Sequence, residues 1–432
     1  MEIAGRRVTL MGLGHFGGGV AAARWLAAAG AKVTVTDTAP ASALADSLAA
    51  LSGAAIAAYH LGGHLEDDFR QADLVVVNPA VRPDNPFVKI AISCGVATTS
   101  EIELFLDACP ARIVGVTGSN GKSTTAAMTA AIFRAAGRKT WLGGNIGASL
   151  LEEIGSIRPQ DVVVLELSSF QLWHLSPQVR PVDVVVVTNC TPNHLDWHGI
   201  WADYVAVKQR ILLRQRPEGV AVLNTSDAEV CTWADRVRGR VVPLVADGQI
   251  PPLAVSGRHN RVNARCAAAA AMAAGCSLEA VRAGVADYRP LSQRLESLGV
   301  VAGRRVYNDS SATTPESTIA ALESVEGPLW LLAGGADKGS DFRPLARRIA
   351  LRAAGAAFFG KLRHALCDHL LHDDPRFPCA AVATMADALA WCWQRSRPGD
   401  AILFSPACSS HDQFQNFRQR GQQFAEQVRQ IA

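Results

Sequence analysis

With 432 residues the chain holds roughly three domains at ordinary domain size, each long enough to bury a core without staples, which excludes a peptide or a disulfide miniprotein. At 49% hydrophobic and 19% charged residues it is neither a disordered polymer nor a membrane bundle. The formal charge of +3, from 42 Lys and Arg against 39 Asp and Glu, is too small to imply a nucleic-acid or membrane-surface partner.

The chain opens on a βαβ pattern: a strand at 7–11, a glycine turn at 12–19, a helical run at 20–29 and a strand at 32–36 ending at Asp37. The turn Gly12-Leu13-Gly14-His15-Phe16-Gly17, with Asp37 twenty residues beyond Gly17, has the form of a dinucleotide fingerprint; the pyrophosphate of another ligand fits it equally well. A strand at 72–77 and a helix at 101–108 lead to Cys109-Pro110, read as a linker, so the first domain is set at 1–100. The N-terminus has no long apolar stretch, which argues against a signal peptide. The most apolar long segment, 264–275, is alanine-rich and well short of the ~20 residues that a membrane span requires. Ten cysteines without a CxxC pair read as reduced thiols, and the cytoplasm is the expected compartment.

The second unit, 101–289, starts with a strand at 112–117, a glycine loop and a helix at 122–136. Val- and Leu-rich strands at 161–167 and 182–188 lack alternation, as in a parallel sheet covered on both faces, and the unit runs on through an alanine-rich helix ending near Ala274. The loop Thr117-Gly118-Ser119-Asn120-Gly121-Lys122-Ser123-Thr124 follows a strand and opens a helix, the context of a phosphate-binding loop for ATP. Lys122 would counter the β and γ phosphates, and Ser123 would offer its hydroxyl to Mg²⁺. The strict G-x-x-x-x-G-K-[ST] pattern is not met, because position 116 is Val. Glu166 ends an apolar run beside that loop, where a Mg²⁺ ligand is needed. After the next strand, His194 stands in a polar loop that either joins a second cation or is simply capped by Asp196. The third unit, 290–432, has strand candidates at 305–308, 329–333 and 401–405 between helical segments. The expected fold class is α/β, with three domains in series: a Rossmann-like N-terminal domain, a central P-loop ATPase-type domain with a parallel sheet, and a C-terminal Rossmann-like domain.

Taken with Gly143-Gly144-Asn145-Ile146-Gly147, Leu165-Glu166-Leu167-Ser168-Ser169-Phe170-Gln171-Leu172, His194-Leu195-Asp196, Lys208, 257–263, Asn308-Asp309-Ser310 and Ser405-Pro406-Ala407-Cys408, the loop makes the chain similar to the Mur ligases nearly end to end. The closest resemblance is to those members that add glutamate during peptidoglycan synthesis. The resemblance implies that the first domain holds UDP through Gly12, Leu13, Gly14, His15, Phe16, Gly17, Asp37 and Thr38, and that Asn145 contacts the sugar nucleotide. It implies Mg²⁺ held by Ser123, Glu166, His194 and Lys208, the lysine as a carbamate, with Asn260 and Asn263 on the adenine side. Arg294 and Asp309 would meet the nucleotide across the domain boundary, Lys122, Glu166, His194, Lys208 and Arg294 forming the catalytic set. Thr313, Lys338, Ser410 and Phe417 match the glutamate pocket.

The implied reaction is ATP-dependent joining of D-glutamate to UDP-N-acetylmuramoyl-L-alanine through an acyl phosphate, by a monomer with only small-molecule partners. Three readings compete with it: the same ligation of L-glutamate followed by a separate epimerase, a folylpolyglutamate synthetase-like ligase, and a noncatalytic nucleotide-binding scaffold. The sequence departs from the family pattern at Ser311, where a lysine is usual, at Thr191-Pro192-Asn193-His194 and at Gln293-Arg294-Leu295-Glu296.

Overall fold

Short valine-rich runs become the strands of three sheets in series in the computed structural model, which describes residues 3–14, 17–253, 257–336 and 340–431. His15, Phe16 and Lys338 lie outside the described residues. In the first sheet, β1 (Arg7–Met11), β2 (Lys32–Asp37), β3 (Ile56–Leu61), β4 (Leu74–Val77) and β5 (Ala97–Thr99) run parallel in the order β3-β2-β1-β4-β5. The second contains β6 (Arg112–Thr117), β7 (Thr140–Gly144), β8 (Val162–Glu166), β9 (Val184–Val187), β10 (Val220–Leu223) and β11 (Arg240–Val242), parallel in the order β11-β10-β9-β6-β8-β7.

Continuous valine in β8 and β9 is explained by the pleat: successive side chains enter opposite faces, and both faces are covered. Ile113, Val163, Leu165, Val185 and Val187 join one buried cluster, while Val114, Val162, Val164, Val184 and Val186 join the other. The alanine-rich helix Arg258–Ala273 packs on the helix Lys122–Ala135, its small side chains allowing close approach. The third sheet comprises β12 (Glu296–Val301), β13 (Arg304–Asn308), β14 (Leu329–Gly334), β15 (Gly355–Phe359), β16 (Cys379–Ala381) and β17 (Ala401–Phe404), in the order β12-β13-β17-β14-β15-β16.

Only β12 runs antiparallel in that sheet, joined to β13 by a two-residue turn with Ala302 at φ 43° and Gly303 at φ 77°. The sequence reading places a strand at 305–308 and none at β12, because Ala-Gly lacks the Asn-Gly or Asp-Gly signature of such a turn. Cys109, read as part of a linker, is instead buried in a core continuous with both the first and second sheets. The Arg180 guanidinium donates to the carbonyls of Cys109 and Ala111, so this junction is a packed seam.

All ten cysteines are free thiols. No helix among the described residues is long and apolar enough to cross a membrane. The strand orders put topological switch points beside β1 and β6, where chain connections leave in opposite directions and a crevice opens at the carboxyl ends of the strands.

Candidate active site

The loop after β6 lies at the second sheet's switch point and is moulded against the residues that leave β9. Gly118 (φ 147°) passes so close to Thr188 that a Cβ would sit 2.0 Å from its Oγ1, and at Gly121 (φ 77°) a Cβ would meet Asn263 Oδ1 at 2.4 Å. Both positions demand glycine. Thr188 Oγ1 and Asn189 Nδ2 donate to the Asn120 carbonyl at 2.6 and 2.9 Å, and Asn189 Oδ1 accepts from the Asn120 amide at 2.8 Å. Ser119 Oγ donates to the Thr191 carbonyl at 2.8 Å and accepts from its amide at 2.9 Å. The helix Lys122–Ala135 starts on Gly121 without a side-chain cap, leaving its first amides for an anion.

Around this loop the polar side chains are buried and mutually bonded. Lys122 Nζ donates to the Ser119 carbonyl at 2.8 Å; burial lowers its pKa, Glu166 opposes the shift and Arg294 adds to it. Ser123 Oγ donates to one oxygen of Glu166, and Asn145 Nδ2 donates to the other at 2.9 Å. Oxygen donors converging in this way are the set that a hard divalent cation takes, so Ser123 and Glu166 fit Mg²⁺. His194, at φ 55°, precedes the helix Leu195–His198 and packs its ring edge-on to Phe170 at 4.7 Å.

Lys208, on the helix Trp201–Leu213, is 1% exposed and reaches the back of the loop, where Nζ donates to the Gly118 carbonyl at 2.8 Å and lies 4.6 Å from the Tyr204 ring centroid. Burial, reinforced by the Lys122 charge, holds its amine well below the usual lysine range.

A cavity of about 270 Å³ opens over the loop, lined by Ser119 to Thr124 and by Asn145, Glu166, His194, Asn260, Asn263, Arg294, Asp309 and Thr313. Arg294 is presented by two left-handed residues, Gln293 (φ 62°) and Leu295 (φ 48°), an uncommon conformation for side chains of this size. Asp309 accepts from Ser405 Oγ at 2.8 Å and the Leu295 amide at 3.0 Å, and burial pushes its carboxyl up to about 7. Ser317 Oγ donates to Asn120 Oδ1 at 2.9 Å, so the third domain touches the loop directly. Ser311, at the position where the family pattern has lysine, also lines this cavity.

A second cavity, of about 490 Å³, starts at the first sheet's switch point with Gly12, Leu13, Gly14 and Asn78 and extends to Asn145, Gln171, Trp197 and Phe417. Asn145 and Phe417 line both cavities.

Several residues of the expected set stand elsewhere. Gly17 caps the helix Gly18–Ala28, Thr38 is exposed, and Asp37 holds the turn from behind by accepting the amides of Gly14 at 3.2 Å and Ala39 at 2.9 Å. Thr117 and Gly118 lie under the loop, Thr117 Oγ1 donating to the Leu167 carbonyl at 2.8 Å. Ser410 is buried and lines neither cavity, and the Phe417 carbonyl accepts from Ser310 Oγ at 2.8 Å. Asn78, Glu101, Ser149, Trp197 and Arg418 line the second cavity although the sequence reading does not single them out. Asn78 alone had a legible signal, as the first polar residue after the buried run of β4, next to β1.

The same organisation recurs in known proteins. Residues 6–100 match the family model "Mur ligase MurD-like, N-terminal domain", 116–249 match "Mur ligase middle domain", and 293–408 match "Mur ligase, glutamate ligase domain". A UDP-N-acetylmuramoylalanine--D-glutamate ligase of Symbiobacterium thermophilum is 36% identical, covering 97% of this chain and 96% of that relative. The enzyme of the same name from Geotalea uraniireducens is 36% identical over 100% of this chain and 99% of its own. Among solved structures, UDP-N-acetylmuramate-alanine ligase from Thermotoga maritima shares the fold with a TM-score of 0.64 at 18% identity, covering 99% of this chain and 100% of its own. Escherichia coli FolC in complex with ADP shares it over 77% of this chain and 95% of its own, with a TM-score of 0.57 at 19% identity. With full-length relatives at this identity and a matching model for each of its three parts, the chain belongs to the Mur ligase family.

Proposed function

We propose that the protein is an ATP-dependent amide ligase that joins D-glutamate to UDP-N-acetylmuramoyl-L-alanine in peptidoglycan precursor synthesis. The observation that carries this reading is the meeting of the two cavities at Asn145 and Phe417. A sugar nucleotide seated on the first sheet's glycine turn and a triphosphate seated on the loop after β6 would bring their reacting ends together there. A carboxylate is a poor electrophile, so its oxygen attacks the γ-phosphorus of ATP, ADP leaves, and an acyl phosphate forms. The glutamate amine then attacks the acyl carbon, phosphate leaves with the bonding pair, and the amine gives up a proton as the amide forms.

The chain's own contribution is positioning and charge neutralisation rather than covalent chemistry. Lys122 and Arg294 face the transferring phosphoryl group, Asn260 and Asn263 flank the adenine side, and Asp309 holds the Arg294 segment through the Leu295 amide. Ser123, Glu166 and His194 would hold Mg²⁺, with Lys208 as a further oxygen ligand once its neutral amine has added CO2 and released a proton to become a carbamate; the bound ion would neutralise phosphate charge. Of the residues that match the family's glutamate pocket, Thr313, which lines the first cavity, and Phe417, which lines both, would face the incoming amino acid.

Phosphate release with ATP, Mg²⁺, UDP-N-acetylmuramoyl-L-alanine and each glutamate enantiomer tests the reaction and its specificity together. Release with D-glutamate exceeding that with L-glutamate at equal concentration is expected; the reverse order assigns L-glutamate and a separate epimerase, and no release with either overturns the ligase reading. The first domain is expected to bind UDP and not NAD, because its glycine turn serves a pyrophosphate bearing one nucleoside and a sugar. Isothermal titration checks this, and tight NAD binding would reverse the assignment.

A further inference from the structure

Glu101 is the one acidic side chain among the described residues that line the second cavity. It follows β5 of the first sheet and opens the helix Glu101–Ala108, and its carboxyl accepts the hydroxyl of Ser149, which follows β7 of the second sheet. The pair therefore spans the seam between the glycine turn at one end of the cavity and Asn145 at the other. From this placement we infer that Glu101 is a substrate-binding residue that acts as a neutral carboxylic acid, donating its proton to an oxygen of the pyrophosphate–sugar segment of the sugar nucleotide.

The chemistry of the ligand selects the neutral form. A sugar nucleotide is anionic through its pyrophosphate, and an ionised carboxylate lining the same cavity would repel it and draw on Arg418, which also lines the cavity and is otherwise available to the anion. Ser149 donates to one carboxyl oxygen, so in the neutral acid the proton would sit on the other and be offered to the ligand. Burial raises the Glu101 pKa and the Ser149 hydrogen bond only partly opposes that shift, in the direction the geometry requires. A glutamine would keep both functions, its oxygen accepting from Ser149 and its amide donating to the ligand.

This inference rests on the sugar-nucleotide reading of the second cavity, and the experiment separates the two. Affinity for UDP-N-acetylmuramoyl-L-alanine is measured by isothermal titration without ATP, alongside kcat and both KM values, for the wild type, Glu101→Gln and Glu101→Ala. The wild type and Glu101→Gln are expected to bind within about threefold of each other, while Glu101→Ala weakens the sugar nucleotide about tenfold, the loss of one hydrogen bond, with the KM for ATP and kcat nearly unchanged. Thermal unfolding of Glu101→Gln confirms that the seam is intact. Equal affinity in all three proteins removes Glu101 from the binding site, and a Glu101→Gln loss as large as that of Glu101→Ala overturns the neutral-donor role; in both cases binding by the wild type leaves the sugar-nucleotide reading standing. A wild type that does not bind the sugar nucleotide overturns both.

Discussion

Lys122→Ala is expected to lower kcat by ~10²-fold or more while leaving the fold intact, because it deletes a cavity-lining cation proposed to face the transferring phosphoryl group. A loss of 10²-fold corresponds to about 2.7 kcal/mol of transition-state stabilisation. The loop itself should survive. Its shape is set by the Thr188, Asn189 and Thr191 contacts to Asn120 and Ser119, and the Lys122 ammonium adds one bond, to the Ser119 carbonyl. Steady-state rates together with the thermal unfolding midpoint check both halves of the prediction. Near-normal turnover in a folded Lys122→Ala protein would end the assignment of this loop to ATP.

Removing the Lys208 side chain should be comparably severe, with a loss on the order of 10²-fold, but for a different reason. The amine tethers the Gly118 carbonyl behind the loop, and it is held toward its neutral form by burial and by Lys122, the state from which a carbamate can form. A carbamate converts a cation into an oxygen ligand, so Lys208→Ala should be partly rescued by millimolar acetate or formate, which can supply that oxygen. Rescue would distinguish the ligand role from the tether, since a small acid cannot restore a donor to Gly118. A folded Lys208→Ala protein that keeps full activity would remove the residue from the site altogether, and one that is inactive and unrescued would leave only the tether.

Ser311 is a local change with a readable setting. It lines the nucleotide-side cavity, and its amide donates to the Gln293 carbonyl at 3.1 Å, so the backbone there is held although the usual positive charge is missing. That leaves Lys122 and Arg294 as the cations lining this cavity among the described residues.

The phosphate loop was legible in the sequence because its determinants are contiguous: a buried strand, glycines at positions of positive φ, and a lysine and serine that open a helix all lie within Arg112 to Thr124. Glu166 was legible for a similar reason, as the first charged residue at the end of a run that must be buried. Backbone conformation over a few residues dictates both, and the chain carries that information locally. Lys208 and Arg294 have no such signal. Lys208 sits on an ordinary amphipathic helix and becomes a loop residue only because that helix packs against the seam behind Gly118. Arg294 is aimed by two left-handed residues that no turn motif announces, and Glu101 matters only because Ser149 arrives opposite it from another sheet. The sequence by itself therefore determined the family, the three α/β units and the glycine loop that joins β6 to the following helix. What only the tertiary structure decided is the joining of two cavities at Asn145 and Phe417, because residues so distant in the chain are brought together by the docking of whole sheets, which depends on the summed burial of their faces rather than on any local pattern.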